Sequence, residues 1–364
     1  MPFLKRILET PRYGFTHPNG EFKKPSTSEM WSEFGYRLNV FRDKRNWLTA
    51  FAWGMTLVLT IPCLIFLFHY FTLPLFVIGF VYSMVFMGSH GTVWLHRYST
   101  HRAFKIRNPF WIFVVRNLVI KIVPEETYAI SHHVHHRYSE QAGDPYNVYG
   151  GWLYCFLADA THQQISHDLN EVEYARVSGL LSHTGVRANS FAQYKRWGTV
   201  AHPAMTVMHY ALNWTFWAGI FYLIGGVPLT MAIFGLACAW AIGIRTFNFE
   251  GHGKGKDRRR PGIDFNTDDI SVNQAWPGLV AGEWHSNHHL FPSSARSGFL
   301  PGQVDLAWIA IKTWSTLGIV TSYRDDKAAF YEKYISKAEA KADATGLTRE
   351  TPGTLSPQAF EGQR

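Results

Sequence analysis

Histidine is the residue type most able to do chemistry in this sequence of 364 residues, because nine of its 18 histidines lie at ligand-like positions in four short clusters. On a helix, residues at i, i+3 and i+4 share one face. The triplet at 132, 135 and 136 can therefore converge on one ion, and so can the triplet at 285, 288 and 289. His96 and His101 converge only if their helix ends or distorts between them. The clusters are His96-Arg-Tyr-Ser-Thr-His101, His132-His-Val-His135-His136, Asn248-Phe-Glu-Gly-His252 and His285-Ser-Asn-His288-His289.

Together the clusters offer nine imidazoles and one amide, more than the four ligands of a tetrahedral zinc ion. The set suits two metal ions of higher coordination number. Imidazole binds iron, copper, zinc and nickel, and a pair of irons at a membrane surface would suit O2 activation for C–H chemistry. The other nine histidines are interpreted as structural: His17, His69, His90, His133, His162, His167, His183, His202 and His209.

Two long windows without any Asp, Glu, Lys or Arg predict membrane-spanning helices. They extend from Asn46 to Leu95 and from Trp197 to Ile244, each long enough for two spans of about 20 residues. Each window has a turn signal near its middle, at 69–74 and 225–228. The spans are therefore expected at about 47–70, 75–95, 203–224 and 229–249. Two buried helical hairpins in a soluble core are the alternative.

The predicted fold class is an all-α integral membrane protein with four transmembrane helices in two hairpins and a cytosolic, mostly helical cap that holds the metal site. Lysine and arginine flank both windows, which places the clusters and both termini in the cytosol. We divide the chain into a cytosolic N-terminal segment (1–45), a main domain (46–323), and a C-terminal helix with a disordered tail (324–364). Residues 110–123 predict an interfacial or re-entrant helix, and 150–196 a cytosolic insert.

The composition excludes a disordered chain and a collagen. Charged residues make up only 17% of the chain, and the net charge is +8. The three cysteines lack the spacing of a redox pair or an iron–sulfur site, and a disulfide scaffold is not expected. No signal peptide and no nucleic-acid partner are expected.

The clusters and their surroundings resemble the membrane fatty acyl desaturases of the Δ9 acyl-CoA and acyl-lipid type. The resemblance extends from about Trp47 to Tyr323. It implies a di-iron centre held by nine histidines, with a water held by Asn248. The implied ligands are His96, His101, His132, His135, His136, His252, His285, His288 and His289. The matching stretches are HRYSTHRAFKIRNP (96–109), HHVHHRYSEQAGDPYN (132–147), NFEGH (248–252) and GEWHSNHHLFPSSARSGFLPGQVDLAW (282–308).

The resemblance further implies an activity and its partners. O2 and two electrons would convert a saturated acyl chain into a cis-monoene, expected at Δ9. The acyl chain would be carried by CoA, acyl carrier protein or a membrane lipid. The electrons would come from a ferredoxin, a rubredoxin, or cytochrome b5 with its reductase. Animal acyl-CoA enzymes have Trp and Arg where this chain has Tyr128 and Ile130, so this stretch does not support CoA recognition.

Other functions and locations stay open at this point. An alkane, sterol, carotenoid or fatty acid hydroxylase could use the same clusters, and a metal transporter or sensor is a third possibility. The stretches at 248–252 and 291–305 favour the desaturase, and a transporter would need ionisable residues inside its spans. A bacterial inner membrane is expected rather than the endoplasmic reticulum. Double-bond position, chain length, carrier, donor and oligomeric state are not fixed by the sequence.

Several residues near the clusters have weaker predictions. Arg97 and Arg102 either bind a substrate head group or lie at the membrane interface, and Tyr128 is a candidate substrate contact. The basic run at 254–260 is either a positive-inside loop or a docking site for an acidic donor or for phosphates. Some nearby carboxylates are expected to orient the imidazoles, with solvated loop residues as the alternative. These are Glu140, Asp144, Asp268, Asp269 and Glu283.

Overall fold

The structure is a computed structural model that describes residues 3–252 and 284–335, and it is mostly helical. The α-helices are α1 (Thr27–Leu38), α2 (Trp47–Ile65), α3 (Leu73–Phe80), α4 (Gly88–Gly91), α5 (Pro109–Arg116), α6 (Glu125–Tyr138), α7 (Trp152–Phe156), α8 (Ala158–Thr161), α9 (Glu171–Leu180), α10 (Phe191–Trp197), α11 (Pro203–Gly243), α12 (Phe247–Gly251), α13 (His285–Leu290), α14 (Leu306–Thr316) and α15 (Lys327–Phe330).

Shorter helical turns extend or connect these elements. 3₁₀ turns cover Phe3–Arg6, Lys44–Asn46, Val148–Gly150 and Ile244–Thr246. π-helical turns cover Phe66–Tyr70, Val81–Met87, Thr92–Thr100 and Tyr331–Ile335.

Within the described residues, three continuous helical stretches are long and apolar enough to cross a membrane: Lys44–Tyr70, Leu73–Thr100 and Pro203–Gly251. The third contains two residues with non-helical backbone angles, Gly225 (φ −145°) and Gly226 (φ 64°). A positive φ favours glycine, so the chain turns here without strain. The interruption lies where the sequence predicted the turn of the second hairpin.

Close contact between helices defines the interior of the apolar part. α11 packs against both α2 and α3. A Cβ atom added to Gly79 would lie 2.8 Å from the Ala232 carbonyl oxygen, and one added to Gly235 would lie 2.8 Å from the Cys63 Cα. Small residues at such points let apolar helices approach closely. Large apolar side chains such as Phe68 and Leu223 point outward, 78% and 81% exposed, as expected of a lipid-facing surface.

A two-stranded antiparallel sheet departs from the all-α prediction. β1 (Phe104–Ile106) pairs with β2 (Val320–Tyr323), and the register is irregular between Lys105 and Ile106. The strands are too short to leave a periodic pattern, and their partners are far apart in sequence. The sheet joins the segment after the first cluster to the segment after the fourth.

The segments outside the apolar helices differ in part from the predictions. The helix expected over 110–123 ends at Arg116, and buried Lys121 beyond it forms an ion pair with Glu125. The insert at 150–196 contains α7 to α10. Of the expected C-terminal helix, only the part up to Ile335 is described. The basic run at 254–260, and Asp268, Asp269 and Glu283 with it, lie outside the described residues.

Candidate metal centre

The nine predicted ligand histidines lie in two adjoining groups. Within each group, one ring nitrogen of every histidine lies within 4.8 Å of the others. The rings of His136 and His289 stack across the boundary between the groups, with centroids 4.5 Å apart. The first group is His96, His101, His132, His136 and His288; the second group is His135, His252, His285 and His289.

Short nitrogen–nitrogen distances characterise both groups. In the first, the Nε2 atoms form a closed ring: His96 to His132 2.8 Å, His132 to His136 3.1 Å, His136 to His288 3.0 Å, and His288 to His96 2.8 Å. In the second, the Nε2 atom of His285 lies 2.8 Å from that of His252 and 3.1 Å from that of His289. Metal–nitrogen bonds of about 2.1 Å place ligands at right angles about 3.0 Å apart. The spacing thus fits ions with ligands at right angles.

Each HxxHH triplet serves both groups. α6 contributes His132 and His136 to the first group and His135 to the second; α13 contributes His288 to the first and His285 and His289 to the second. The expectation that each triplet converges on one ion is therefore wrong. Positions i and i+4 lie about 40° apart around a helix, whereas i+3 lies about 60° away on the other side of i. Each helix can thus face two ions at once.

A π-helical turn brings the first cluster together. The Thr92–Thr100 turn ends with the backbone N–H of His101 donating to the carbonyl oxygen of His96, at 3.1 Å. This i to i+5 hydrogen bond is the distortion that the sequence required. Both rings consequently enter the first group.

Burial keeps four of these imidazoles neutral. Among them, His132 and His288 are at most 2% exposed. Burial, reinforced by neighbouring histidines, lowers the pKa of His132, His136, His288 and His289 well below the usual value. A neutral imidazole is the form that binds a metal ion.

Two of these rings carry buried nitrogens that a metal ion would satisfy. Among the described residues, the Nε2 atoms of His101 and His135 are buried and have no hydrogen-bond partner. A buried polar atom without a partner is costly. One group of five imidazoles and one of four, each with such an unsatisfied nitrogen, therefore fit a pair of transition-metal ions.

Two carboxylates orient histidines of the second group. The Nδ1–H of His135 donates to Asp144 Oδ1 at 2.9 Å, and the Nδ1–H of His252 donates to Glu140 Oε1 at 2.9 Å. Asp144 also accepts the backbone N–H of Glu140, at 2.7 Å, and Glu140 has a positive φ of 62°. A carboxylate on Nδ1 fixes the tautomer that presents Nε2 to a metal.

The two arginines beside the first cluster make contacts within the protein. Arg97 is fully buried, forms an ion pair with Asp305 at 2.9 Å, and donates to Ser297 Oγ at 2.9 Å. It therefore neither binds a head group nor lies at the membrane interface. Arg102 donates to the Gly179 carbonyl oxygen at the end of α9, at 2.9 Å.

The role of Asp305 was not identified from the sequence. It accepts the backbone N–H of Ser297 at 2.7 Å and caps α14 through the backbone N–H of Trp308 at 2.8 Å. An aspartate directly before a helix was a usable signal for the cap, although nothing local indicated its arginine partner.

A mostly apolar cavity lies beside the histidines. Tyr128 in its wall stacks on His132, with ring centroids 5.2 Å apart and planes inclined by 21°. Asn248 also lines the cavity, one helical turn before His252. Its role in holding a water stays a prediction. Other lining residues include Ala52, Ile122, Val123, Tyr146, Ile244 and Phe247.

Comparisons with known proteins agree with the histidine geometry. Residues 72–298 match the family model described as fatty acid desaturase. The Delta-9 desaturase-like 4 protein of Arabidopsis thaliana is 29% identical over 241 residues, covering 63% of this chain and 70% of the relative. The Delta-9 acyl-lipid desaturase 2 of the same plant is 27% identical over 310 residues, 83% and 92% of the two chains. The icosanoyl-CoA 5-desaturase of Limnanthes douglasii is 24% identical over 277 residues, 74% and 70%. These plant relatives give no support to the expected bacterial membrane.

Proposed function

Because this chain belongs to the fatty acid desaturase family, and is therefore an oxidoreductase that acts on fatty acyl chains, we propose that it introduces a cis double bond at Δ9 into a saturated acyl chain. O2 would be the oxidant, and an external protein would donate two electrons. The observation that carries this proposal is the pair of adjoining histidine groups beside a mostly apolar cavity.

The nine histidines would hold two irons, with Asn248 holding a water. Bound irons supply O2 activation and the removal of one hydrogen from each of two neighbouring methylenes, so that one O2, two electrons and two protons yield two waters beside the alkene. The contribution of the protein is positioning. Asp144 and Glu140 retain the Nδ1 protons of their histidines, which keeps each Nε2 lone pair directed at the site.

The cavity wall would hold and align the acyl chain. Tyr128 stacks against a first-group histidine, so a chain in the cavity lies next to the metal ligands. Ile122 and Phe247 provide apolar contact and exclude water from the reacting methylenes. No general base is required for this chemistry.

The membrane arrangement forms part of the proposal. The third apolar stretch, divided at Gly225 and Gly226, would supply two of four spans. The flanking lysines and arginines would place the histidine groups and both termini on the cytosolic side. There a soluble or membrane-anchored electron carrier, such as a ferredoxin, a rubredoxin or cytochrome b5, could reach them.

The test is a fatty-acid profile with double-bond localisation in a host that supplies a broad electron-donor system. Wild type and His133→Ala should each produce a new cis-monoene, and His135→Ala should produce none. His133 is the matched control, since it neighbours the ligands on α6 but belongs to neither group. A hydroxy acid in place of the monoene would contradict the proposal, as would an unchanged profile from wild-type protein that carries about two irons.

A further inference from the structure

A second cavity, of about 250 Å³, lies away from the histidine groups, where the apolar helices meet the surrounding polar segments. Its mouth is apolar, formed by three side chains near the start of α11. Met205, Met208 and Leu212 are 48%, 48% and 63% exposed, and they belong to a stretch apolar enough to cross a membrane. The cavity therefore opens towards the lipid.

The wall of this cavity carries polar atoms that no described residue satisfies. Tyr210 is only 3% exposed, yet its hydroxyl has no hydrogen-bond partner among the described residues. The Nε2 atom of neighbouring His209 is likewise buried and without a partner in the described part of the chain. Leaving such groups unsatisfied costs about 1–3 kcal/mol each. A ligand with polar atoms at this depth would remove that cost.

An unpaired positive charge lies at the same cavity. The lining includes the exposed Arg187, and no described residue forms an ion pair with it. The N-terminus of α11 also lies here, and its cap residue His202 makes no capping hydrogen bond through its side chain. Uncapped backbone N–H groups and the helix dipole favour an anion.

The two carboxylates in the lining are already compensated. Glu125 is paired with Arg116 and Lys121. Glu126 accepts the backbone N–H groups of Val200 and Ala201, each at 2.8 Å. Both carboxylates thus have partners within the protein, and the groups left for a ligand are Arg187 and the start of α11, which favour a negative one.

We propose that this cavity binds the anionic head group and the first ester of a membrane lipid. The apolar mouth selects an amphiphile over a soluble phosphate, because acyl chains leaving the cavity would pass Met205 and Met208 into the bilayer. Pro124 lines both this cavity and the one beside Asn248. On the proposed desaturase function, on which this step rests, a chain of the bound lipid reaches the histidine groups past Pro124, and the acyl carrier is a lipid.

Native mass spectrometry of the full chain, metal-free and in neutral detergent, tests the site by titration with dioleoylphosphatidylglycerol. Tyr210→Phe and Arg187→Gln should each weaken binding about tenfold, the effect of losing one hydrogen bond to a charged group. Tyr222→Phe, at an exposed tyrosine of the same helix, and Arg196→Gln, at an exposed arginine of α10, are the matched controls and should bind as wild type does.

Two further ligands test whether the site recognises the charge of the head group and the acyl chains. Dioleoylphosphatidylcholine should bind more weakly than the anionic lipid, and glycerol 1-phosphate, which lacks acyl chains, should not compete. Wild-type affinity in both cavity variants would overturn the proposal, and so would competition by glycerol 1-phosphate as strong as by the lipid. The readout is binding to metal-free protein, so its failure is distinct from failure of the desaturase proposal, which shows in the fatty-acid profile.

Discussion

The first and second histidine groups share two of the four sequence clusters but are supported in different ways. In the first group, the supporting contact holds the backbone beside the histidines: Arg97 follows His96, and its ion pair with Asp305 fixes the segment that follows α13. In the second group, Asp144 and Glu140 accept hydrogen bonds from the imidazoles themselves.

This difference separates two properties of a metal site. A buried ion pair between distant segments stabilises the fold that brings ligands together. A carboxylate on an imidazole sets ring orientation and ligand basicity, which chiefly changes metal affinity. Substitutions in the two kinds of support should therefore change different measurements.

The largest effect is expected from removing one ligand from each group. His285→Ala and His288→Ala change residues three positions apart on α13, yet they take donors from different groups. Each should lower desaturation at least 100-fold and reduce iron from about two to about one per chain. Iron analysis with Mössbauer spectroscopy should show a different remaining iron in each variant, whereas His17→Ala should keep both. Loss of the same iron from both variants would contradict the split.

The next largest effect is expected from breaking the buried ion pair of Arg97 and Asp305 beside the first group. Asp305→Asn leaves the Arg97 charge buried without its partner, which should lower the free energy of unfolding by about 3–5 kcal/mol. Denaturant unfolding in detergent measures the change. Arg6→Gln removes a more exposed ion pair with Glu173, at 3.1 Å, and should cost at most about 1 kcal/mol. Equal losses in the two variants would show that the buried pair of Arg97 and Asp305 stabilises the fold no more than the exposed pair does.

Weakening the support of the second group should change affinity more than stability. Asp144→Asn is expected to lower iron affinity about 10- to 100-fold at one of the two sites, because the imidazole of His135 loses its anionic partner. Competition with a chelator gives the affinity, and Asp168→Asn, at an exposed aspartate, is the control. An equal loss at both sites would argue against a role confined to the second group.

The smallest effect comes from a buried histidine outside both groups. Burial lowers the pKa of His162 to about 3. The unfolded chain binds a proton near pH 6.5, so it binds more protons than the folded chain between these values, and stability falls as pH falls through that window. From pH 7 to pH 5, His162→Gln should lose about 2 kcal/mol less stability than wild type. Parallel pH curves from chemical unfolding would refute this interpretation.

Sequence reasoning located the ligand types better than their arrangement. It placed all nine histidines of the two groups, because their spacing and their position beside apolar windows are local properties. Which group His135 and His288 join depends on the orientation of α6 and α13 about their own axes. That orientation is fixed by packing between segments far apart in the chain, so the spacing of the histidines alone could not predict it.

The misplaced elements share the same cause. Arg97 was predicted either to bind a head group or to lie at the membrane interface, because its partner Asp305 lies 208 residues away in sequence and left no local signal. The β1–β2 pair was missed for a similar reason, since two strands of three and four residues have no local pattern. The interruption at Gly225 and Gly226 was foreseen because glycine and proline mark turns locally.

The spread of ligands along the chain sets an order for biosynthesis. The first group unites His96 with His288, and the second unites His135 with His289, so the first set is complete only when residue 288 has been made and the second only at residue 289. The β1–β2 pair closes later still, when Tyr323 meets Phe104. Closing such long loops is a late step in folding. A ribosome-bound chain that has inserted only its first two apolar helices thus still lacks both complete sets of histidines, and a metal ion could meet a complete set only after residue 288 has been made.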